Sequence, residues 1–451
     1  MMKTLLPLKS ASIGCCLLIA LLFATCRSTN ESSNNDQVLP TFSFDVKKNT
    51  AIQIANIFHQ VVADPKARIS AESLSDSSLI ENTLTYSDEL DRPVFHIINY
   101  KKEQGWIVVS ADRRMTPVLA YAHSGKMGLA QAQGGFSLWV DGVKDLMKNA
   151  RNKLTAPNEL IENRWRYFES KGRSTTPNGR TSDSNCSSYD IYMHQCPSGT
   201  MYANQGYPND LAGSFADSWS QKYSYAYSCP QVDPLNTAGA CALCSNKTLT
   251  GCAPLATAMV LRANFHNKGT RKPASGYDWD LMDDGSVLCS AMGAGNIELS
   301  RLISFCYLSL NAHDESPFSC EISVTNSFIP SAFQAAGYSN QGAMVDFNAN
   351  QSSVQTDLYN GYPVVMTGFK SGTSLTGHAW VADGFHLDTF YNLDCSGSSP
   401  VCQESAFLFY HLNWGEGDQS TAPNGWFGVG GFVMGTDTNN TNLQANVGVR
   451  P

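Results

Sequence analysis

Cys252 stands where a nucleophilic cysteine would have to stand. It follows Gly251 and opens an apolar run that continues through Leu261. Ala253, Ala256, Met259, Val260 and Ala263 recur at steps of three and four, which predicts a buried helical stripe. Pro254 suits the first turn of a helix, where a missing N–H costs nothing. Gly269 falls just past the expected end. The positive end of the helix dipole favours a thiolate over a thiol. The competing reading is a small buried cysteine or half of a disulfide, the ordinary fate of a cysteine in an exported, cysteine-rich chain.

Thiol hydrolysis of a peptide bond needs more than sulfur. It needs a base, an orienter for that base, and donors for an oxyanion. Candidates follow in the order Gln221, Cys252, His378, Asn413 and Trp414. Gln221 would donate its side-chain amide to the oxyanion beside the Cys252 N–H. His378 would pair with the thiolate. Asn413 would hydrogen-bond the imidazole, and Trp414 would cover it and exclude water. Singly, each has a plainer reading. A histidine on an apolar strand is usually structural, a Trp after Asn is usually core, and a loop Gln is usually solvated. Their order and contexts together favour the chemical reading.

These residues need elements to hold them. The chain has 451 residues, 42% hydrophobic and 16% charged, enough for two or three folded domains. A net charge of −8 with no basic patch argues against nucleic acid as a partner. Lys3 and Lys9 precede an apolar stretch from Ile13 to Phe23 that is too short to span a bilayer, so residues 1–26 read as an export signal. Cys26 then precedes a polar run, as in a bacterial lipoprotein signal, although Thr25 is larger than the usual residue there. A lipid anchor through Cys26 and plain secretion both stand open. Residues 27–40 read as a polar tether.

Residues 41–169 form the first folded unit. A helix over 49–62, strands at 93–100, 106–110 and 118–121, and a helix over 136–150 make a small α+β domain. Asp112, Arg113 and Arg114 read there as solvated turn charges. Residues 170–214 begin with a small, polar, Gly/Pro-bearing stretch and form an exposed, cleavable linker. Residues 215–451 hold the candidate site. Helices over 252–268, 299–308 and 328–336 come first. Strands at 363–367, 376–384, 407–415, 425–430 and 446–449 follow. That order implies a two-lobed α+β enzyme, a helical lobe beside an antiparallel sheet, with a cleft between them.

Of the 14 cysteines, none falls between Cys26 and Cys186. Setting Cys252 aside leaves ten from Cys186 onward, an even number that could make five disulfides. Cys241 and Cys244 form a C-x-x-C without a second pair at zinc spacing, so disulfides are preferred to a metal site. Residues from His386 to Ala406 look like an insertion that Cys395 and Cys402 could staple as a surface hairpin. No metal or cofactor is expected.

The segments Trp219-Ser-Gln221, Thr250-Gly-Cys-Ala253, Gly377-His-Ala-Trp-Val-Ala-Asp-Gly384 and His411-Leu-Asn-Trp-Gly415 resemble the streptopain family of papain-like bacterial cysteine peptidases. Tyr277-Asp-Trp279 and the ending Val447-Gly-Val-Arg-Pro451 look similar too, and the hairpin within 93–121 looks like that family's propeptide. The resemblance implies a papain-like fold behind a prodomain, and a secreted zymogen whose own propeptide inhibits it. It further implies protein substrates, Cys252 as nucleophile, His378 as base and Gln221 as oxyanion donor. Asn413 and Trp414 fall on the His-supporting segment, with the division of labour between them open. Pro254 and Glu416 depart from the family's pattern and put substrate preference in doubt. Two further readings are a Cys–His amidase acting on cell-wall peptides and a non-catalytic surface lipoprotein. The first typically lacks Gln before the Cys together with Asn-Trp-Gly after the His. The second would be favoured by a missing Cys or His.

Overall fold

The computed structural model describes residues 43–63, 77–128, 132, 134–154, 156–172, 219–221, 223–230, 247–282, 289–314, 322–369, 377–394, 401–417, 423–428 and 443–451. All of these except Ser43 belong to one unit, Phe44–Pro451.

Strands whose residues alternate between two apolar faces build one large sheet. In Val364–Phe369 (β8), Val364 and Met366 enter one core while Val365 enters another. In Pro93–Tyr100 (β2), Ile97 and Ile98 divide in the same way. A period of two with both faces buried calls for cover on both sides. The other strands are Ile80–Ser87 (β1), Trp106–Ser110 (β3), Val118–Ala122 (β4), Asn340–Asp346 (β7), Gly377–Asp394 (β9), Val401–Asn413 (β10), Gly425–Gly428 (β11) and Gln444–Arg450 (β12). Their order is β1-β2-β3-β4-β11-β10-β9-β8-β12-β7, a ten-stranded sheet. Each pairing between these neighbours is antiparallel. His313–Asp314 (β5) and Ile322–Ser323 (β6) form a separate small pair.

One face carries a core closed by helix Gly134–Lys153 (α2) and helix Gln351–Tyr359 (α7). Behind the β1–β4 half, helix Lys48–Ala63 (α1) and helix Glu159–Gly172 (α3) close a second core. Behind the other half, helices Cys252–Lys268 (α4), Ala294–Ser309 (α5) and Phe328–Ala335 (α6) form the helical lobe. The fold is α+β, as expected. Strands β1 and β7 and helices α3 and α7 add to the elements legible in the sequence.

The two folded units share their sheet. Strand β4 pairs with β11 through Trp426↔Tyr121 and Phe427↔Ala120. Pairing covers backbone groups that would otherwise lie along two open edges. The shared packing is apolar. Phe407, Phe409 and Trp426 enter the same core as Phe58, Tyr121 and Phe168. The expected excursion between the His and Asn-Trp strands is a long hairpin, with β9 and β10 paired from Val381↔Asn413 out to Asp394↔Val401 and a one-residue register shift between His411 and Leu412.

The turn charges correct the sequence reading. Asp112 is fully buried, not solvated. Its carboxylate accepts from Arg114 Nε at 2.9 Å and Nη2 at 2.7 Å, and from Arg151 Nε at 3.4 Å. A buried carboxylate persists only when paired, and two guanidiniums converge on this one. Asp112→Ala would strip both of their shared buried carboxylate, leaving Arg114 the Leu154 carbonyl and Arg151 the Asp88 carboxylate at 3.5 Å. The expected cost is about 3 kcal/mol, read as an earlier melting transition of the full chain. An unchanged transition would contradict this account.

The cysteines need a second correction. Cys229 and Cys306 are buried free thiols, so the cysteines beyond Cys252 do not all pair. Burial pushes both thiols up, making them small apolar packing groups with little thiolate character. Cys395 lies outside the described residues. Cys402 stands on β10 opposite Leu393.

Candidate active site

Helix α4 begins at Cys252 because the chain turns sharply before it. Gly251 has φ 78°, and a Cβ there would lie 2.8 Å from Ile322 Cγ2. Only glycine meets both conditions without strain. Gly269 ends the helix in the left-handed conformation, as the sequence predicts. The predicted stripe is wider than expected, because every residue from Ala253 to Asn264 is buried and α4 runs through the lobe's core. Cys252 itself keeps partial exposure at the helix start. The Thr250 N–H donates to the Gln221 carbonyl at 3.2 Å, which holds the Gln221 segment against the chain entering α4. Trp219, two residues earlier, is fully buried and anchors that segment.

His378 is the second residue of β9, opposite Gly368 on β8. Its imidazole hydrogen-bonds the Cys252 thiol, and the Ala379 N–H also donates to that sulfur. Burial works against both charges. The attraction between sulfur and imidazole, with their hydrogen bond, overcomes it. The Cys252 thiol is therefore held below its usual range and the His378 imidazole is raised. Both shifts favour a thiolate–imidazolium pair at the helix N-terminus.

The end of β10 supplies the rest. Asn413 is buried, and its side-chain carbonyl accepts from the Gly415 N–H at 3.1 Å. It shapes the turn. Trp414 is fully buried against Trp380 and Phe427, with ring centroids at 5.3 and 5.1 Å. Its indole N–H donates to the Pro423 carbonyl at 3.1 Å. The Trp414 carbonyl lies 3.4 Å from His378 Nε2. Glu416 Oε1 lies closer, at 3.2 Å from that nitrogen. The structure thus brings together Cys252, His378 and Trp414, sets Gln221 and Asn413 on the segments leading to them, and adds Glu416. Sequence reading marked Glu416 only as a departure from the family's pattern. The available signal was a carboxylate between Gly415 and Gly417, two residues beyond the Trp.

A prodomain segment closes over this site. Gly134 and Gly135 open α2 on top of the imidazole. A Cβ at Gly135 would lie 2.6 Å from Trp414 Cε3 and 3.0 Å from His378 Cδ2. Their backbone therefore seats directly on His378 and Trp414. Among the described residues, no group of three or more His, Cys, Asp or Glu is placed to hold a metal ion.

A cysteine at a helix start, a histidine bonded to it and a separate segment of the same chain seated on that histidine together fit one class: a cysteine-type peptidase in zymogen form. Comparison with known proteins gives the family. Residues 219–427 match the model described as the Peptidase C10 family, and residues 43–147 match that of the Spi protease inhibitor. Residues 219–427 thus belong to the C10, or streptopain, family of cysteine peptidases, behind an inhibitor-type prodomain. A search of curated proteins returned no match. Among solved structures, the chain is similar to a cysteine-to-alanine mutant fragment of prointerpain A from Prevotella intermedia. That match has 14% identity and a TM-score of 0.48, covering 82% of this chain and 99% of that one. It is also similar to active interpain A cysteine protease from the same organism, at 18% identity and a TM-score of 0.34, covering 51% of this chain and 91% of that one.

Proposed function

We propose that the chain is an exported endopeptidase whose Cys252–His378 dyad cleaves proteins through an acyl-thioester. The observation that carries this reading is the hydrogen-bonded thiol and imidazole at the start of α4, with the thiol depressed and the imidazole raised. The Cys252 sulfur attacks the scissile carbonyl carbon and a C–S bond forms. The oxyanion is held by the Cys252 N–H and the Gln221 amide. His378 gives its proton to the leaving nitrogen as the C–N bond breaks. Water then attacks the thioester while His378 takes its proton, and the thiolate departs from a carboxylic acid. Asn413 acts through the turn it fixes, and Trp414 shields the imidazole. Residues 1–26 direct export, with lipidation at Cys26 as one outcome. Residues 41–169 are the propeptide, 170–214 the linker and 215–451 the mature enzyme.

The test is selective alkylation. The processed enzyme, under mild reductant, is treated with iodoacetamide and mapped by mass spectrometry. Label should accumulate first at Cys252, because Cys229 and Cys306 are buried, and activity should fall in step with it. Full activity in protein fully alkylated at Cys252 would defeat the reading.

A further inference from the structure

We propose that Glu416 is the positioning residue that orients and charges His378, a role the sequence left open between Asn413 and Trp414. This rests on the reading of Cys252 and His378 as the dyad. Three observations carry it. First, the distance: Glu416 Oε1 is 3.2 Å from His378 Nε2, with the Trp414 carbonyl at 3.4 Å from the same nitrogen. Facing two acceptor oxygens, Nε2 carries a hydrogen, which fixes the tautomer and the ring plane. Second, the shielding: the side chains of His378 and Glu416 keep only 11% and 13% of their exposure. A carboxylate so enclosed is stable only against a positive partner. Third, the mounting: Glu416 sits on a braced turn. Asn413 Oδ1 holds the Gly415 N–H, the Asn424 side-chain oxygen holds the Trp414 N–H, and the Trp414 indole holds Pro423. Gly415 and Gly417, at φ 70° and 67°, let the chain turn on either side of the carboxylate. Asn413 is thus engaged in building the turn, and the acid carried by that turn reaches the imidazole.

The prodomain engages the same acid. A Cβ on Gly134 would lie 2.0 Å from Glu416 Oε1 and 2.8 Å from His378 Nε2. The start of α2 therefore rests on the Glu416–His378 pair, its positive end toward the carboxylate. Among the described residues, the titratable groups facing the imidazole are Cys252 from α4 and Glu416 from the turn after β10. Gly134 and Gly135 of α2, Trp380 of β9 and Trp414 contribute none.

The sign of the charge effect is definite. A negative Glu416 resists loss of the imidazolium proton and also resists formation of the thiolate. Removing that charge should move both limbs of the pH–rate profile to lower pH. The experiment uses full-length chains cut in the linker by trypsin, which is then inhibited. It compares wild type with Glu416→Gln, Glu416→Ala and Glu416→Asp on a peptide substrate across pH. Glu416→Ala should lose roughly 10- to 100-fold in kcat with KM changed by less than about threefold. Glu416→Gln should shift both limbs downward, and Glu416→Asp should restore the wild-type limbs in part. A merely structural role would lower stability and leave the limbs in place. Wild-type kcat and limbs in Glu416→Gln and Glu416→Ala, with Cys252→Ala dead, would overturn the role of Glu416 alone. Activity in Cys252→Ala would overturn the dyad reading beneath it. Should Glu416→Ala fail to fold, the limbs of Glu416→Gln decide.

Discussion

Cys252→Ala is expected to lower peptide cleavage by on the order of 10⁴-fold or more. In the proposed mechanism the sulfur supplies the bond that splits amide hydrolysis into two easier steps. Without it, the Gln221 amide and the Cys252 N–H polarise a carbonyl that nothing attacks. No described thiol is placed to substitute. Cys229 and Cys306 are buried, and burial raises both. The fold should survive the change. Alanine is the best helix former, and position 252 opens α4 instead of filling its core. His378 should lose the thiolate that raises it, although Glu416 remains beside it. The check is casein cleavage together with processing of the purified precursor. Both should stop while the melting transition stays near that of the wild-type precursor. Normal proteolysis by the Cys252→Ala protein would remove Cys252 from the mechanism.

Local signals made part of this molecule legible. Gly251, Pro254 and Gly269 mark the start, first turn and end of α4 because each meets a backbone condition set within a few residues. The strands at 93–100 and 106–110 are legible because apolar and β-branched residues dominate them where both sheet faces are covered. Strand β1 is not, since Glu81, Asn82, Thr83 and Thr85 give it a polar reading. Helix α7 is not either, since Val354 and Leu358 are its only large apolar residues facing the core. Asp112 misled for a different reason. A polar triplet in a turn reads as exposed unless its partner is known, and Arg151 lies a whole helix away. The same limit hid the site's remaining parts. Glu416 and the Gly134–Gly135 pair are far apart in the chain and meet through tertiary packing, by the pairing of β4 with β11 and the core that α2 shares with Trp414 and Phe427. The catalytic candidates were readable as an order of residue types. The group that holds the histidine depends on tertiary contact.

Gly135→Val should open the zymogen while leaving the mature enzyme unchanged. The Cβ of residue 135 would stand 2.6 Å from Trp414 Cε3 and 3.0 Å from both His378 Cδ2 and Trp380 Cε3. Neither tryptophan can yield. Both are essentially fully buried and packed against each other at 5.3 Å. Forcing extra carbons into such a core costs about 1–3 kcal/mol. Moving α2 away relieves the clash, and α2 is also the element that covers the imidazole. The cost therefore falls on prodomain docking, not on the peptidase fold. By the relation between free energy and equilibrium, it shifts the docked state by roughly 5- to 150-fold. The unprocessed chain should cleave a small peptide measurably faster than the wild-type zymogen. On a Cys252→Ala background, where no self-cleavage can confuse the result, trypsin should cut the linker and prodomain sooner. After processing, the two enzymes should share kcat and KM, because residue 135 has left with the prodomain. An equally silent zymogen would show that α2 can shift without uncovering His378, and latency would then have to come from the β4–β11 junction and the apolar core it shares.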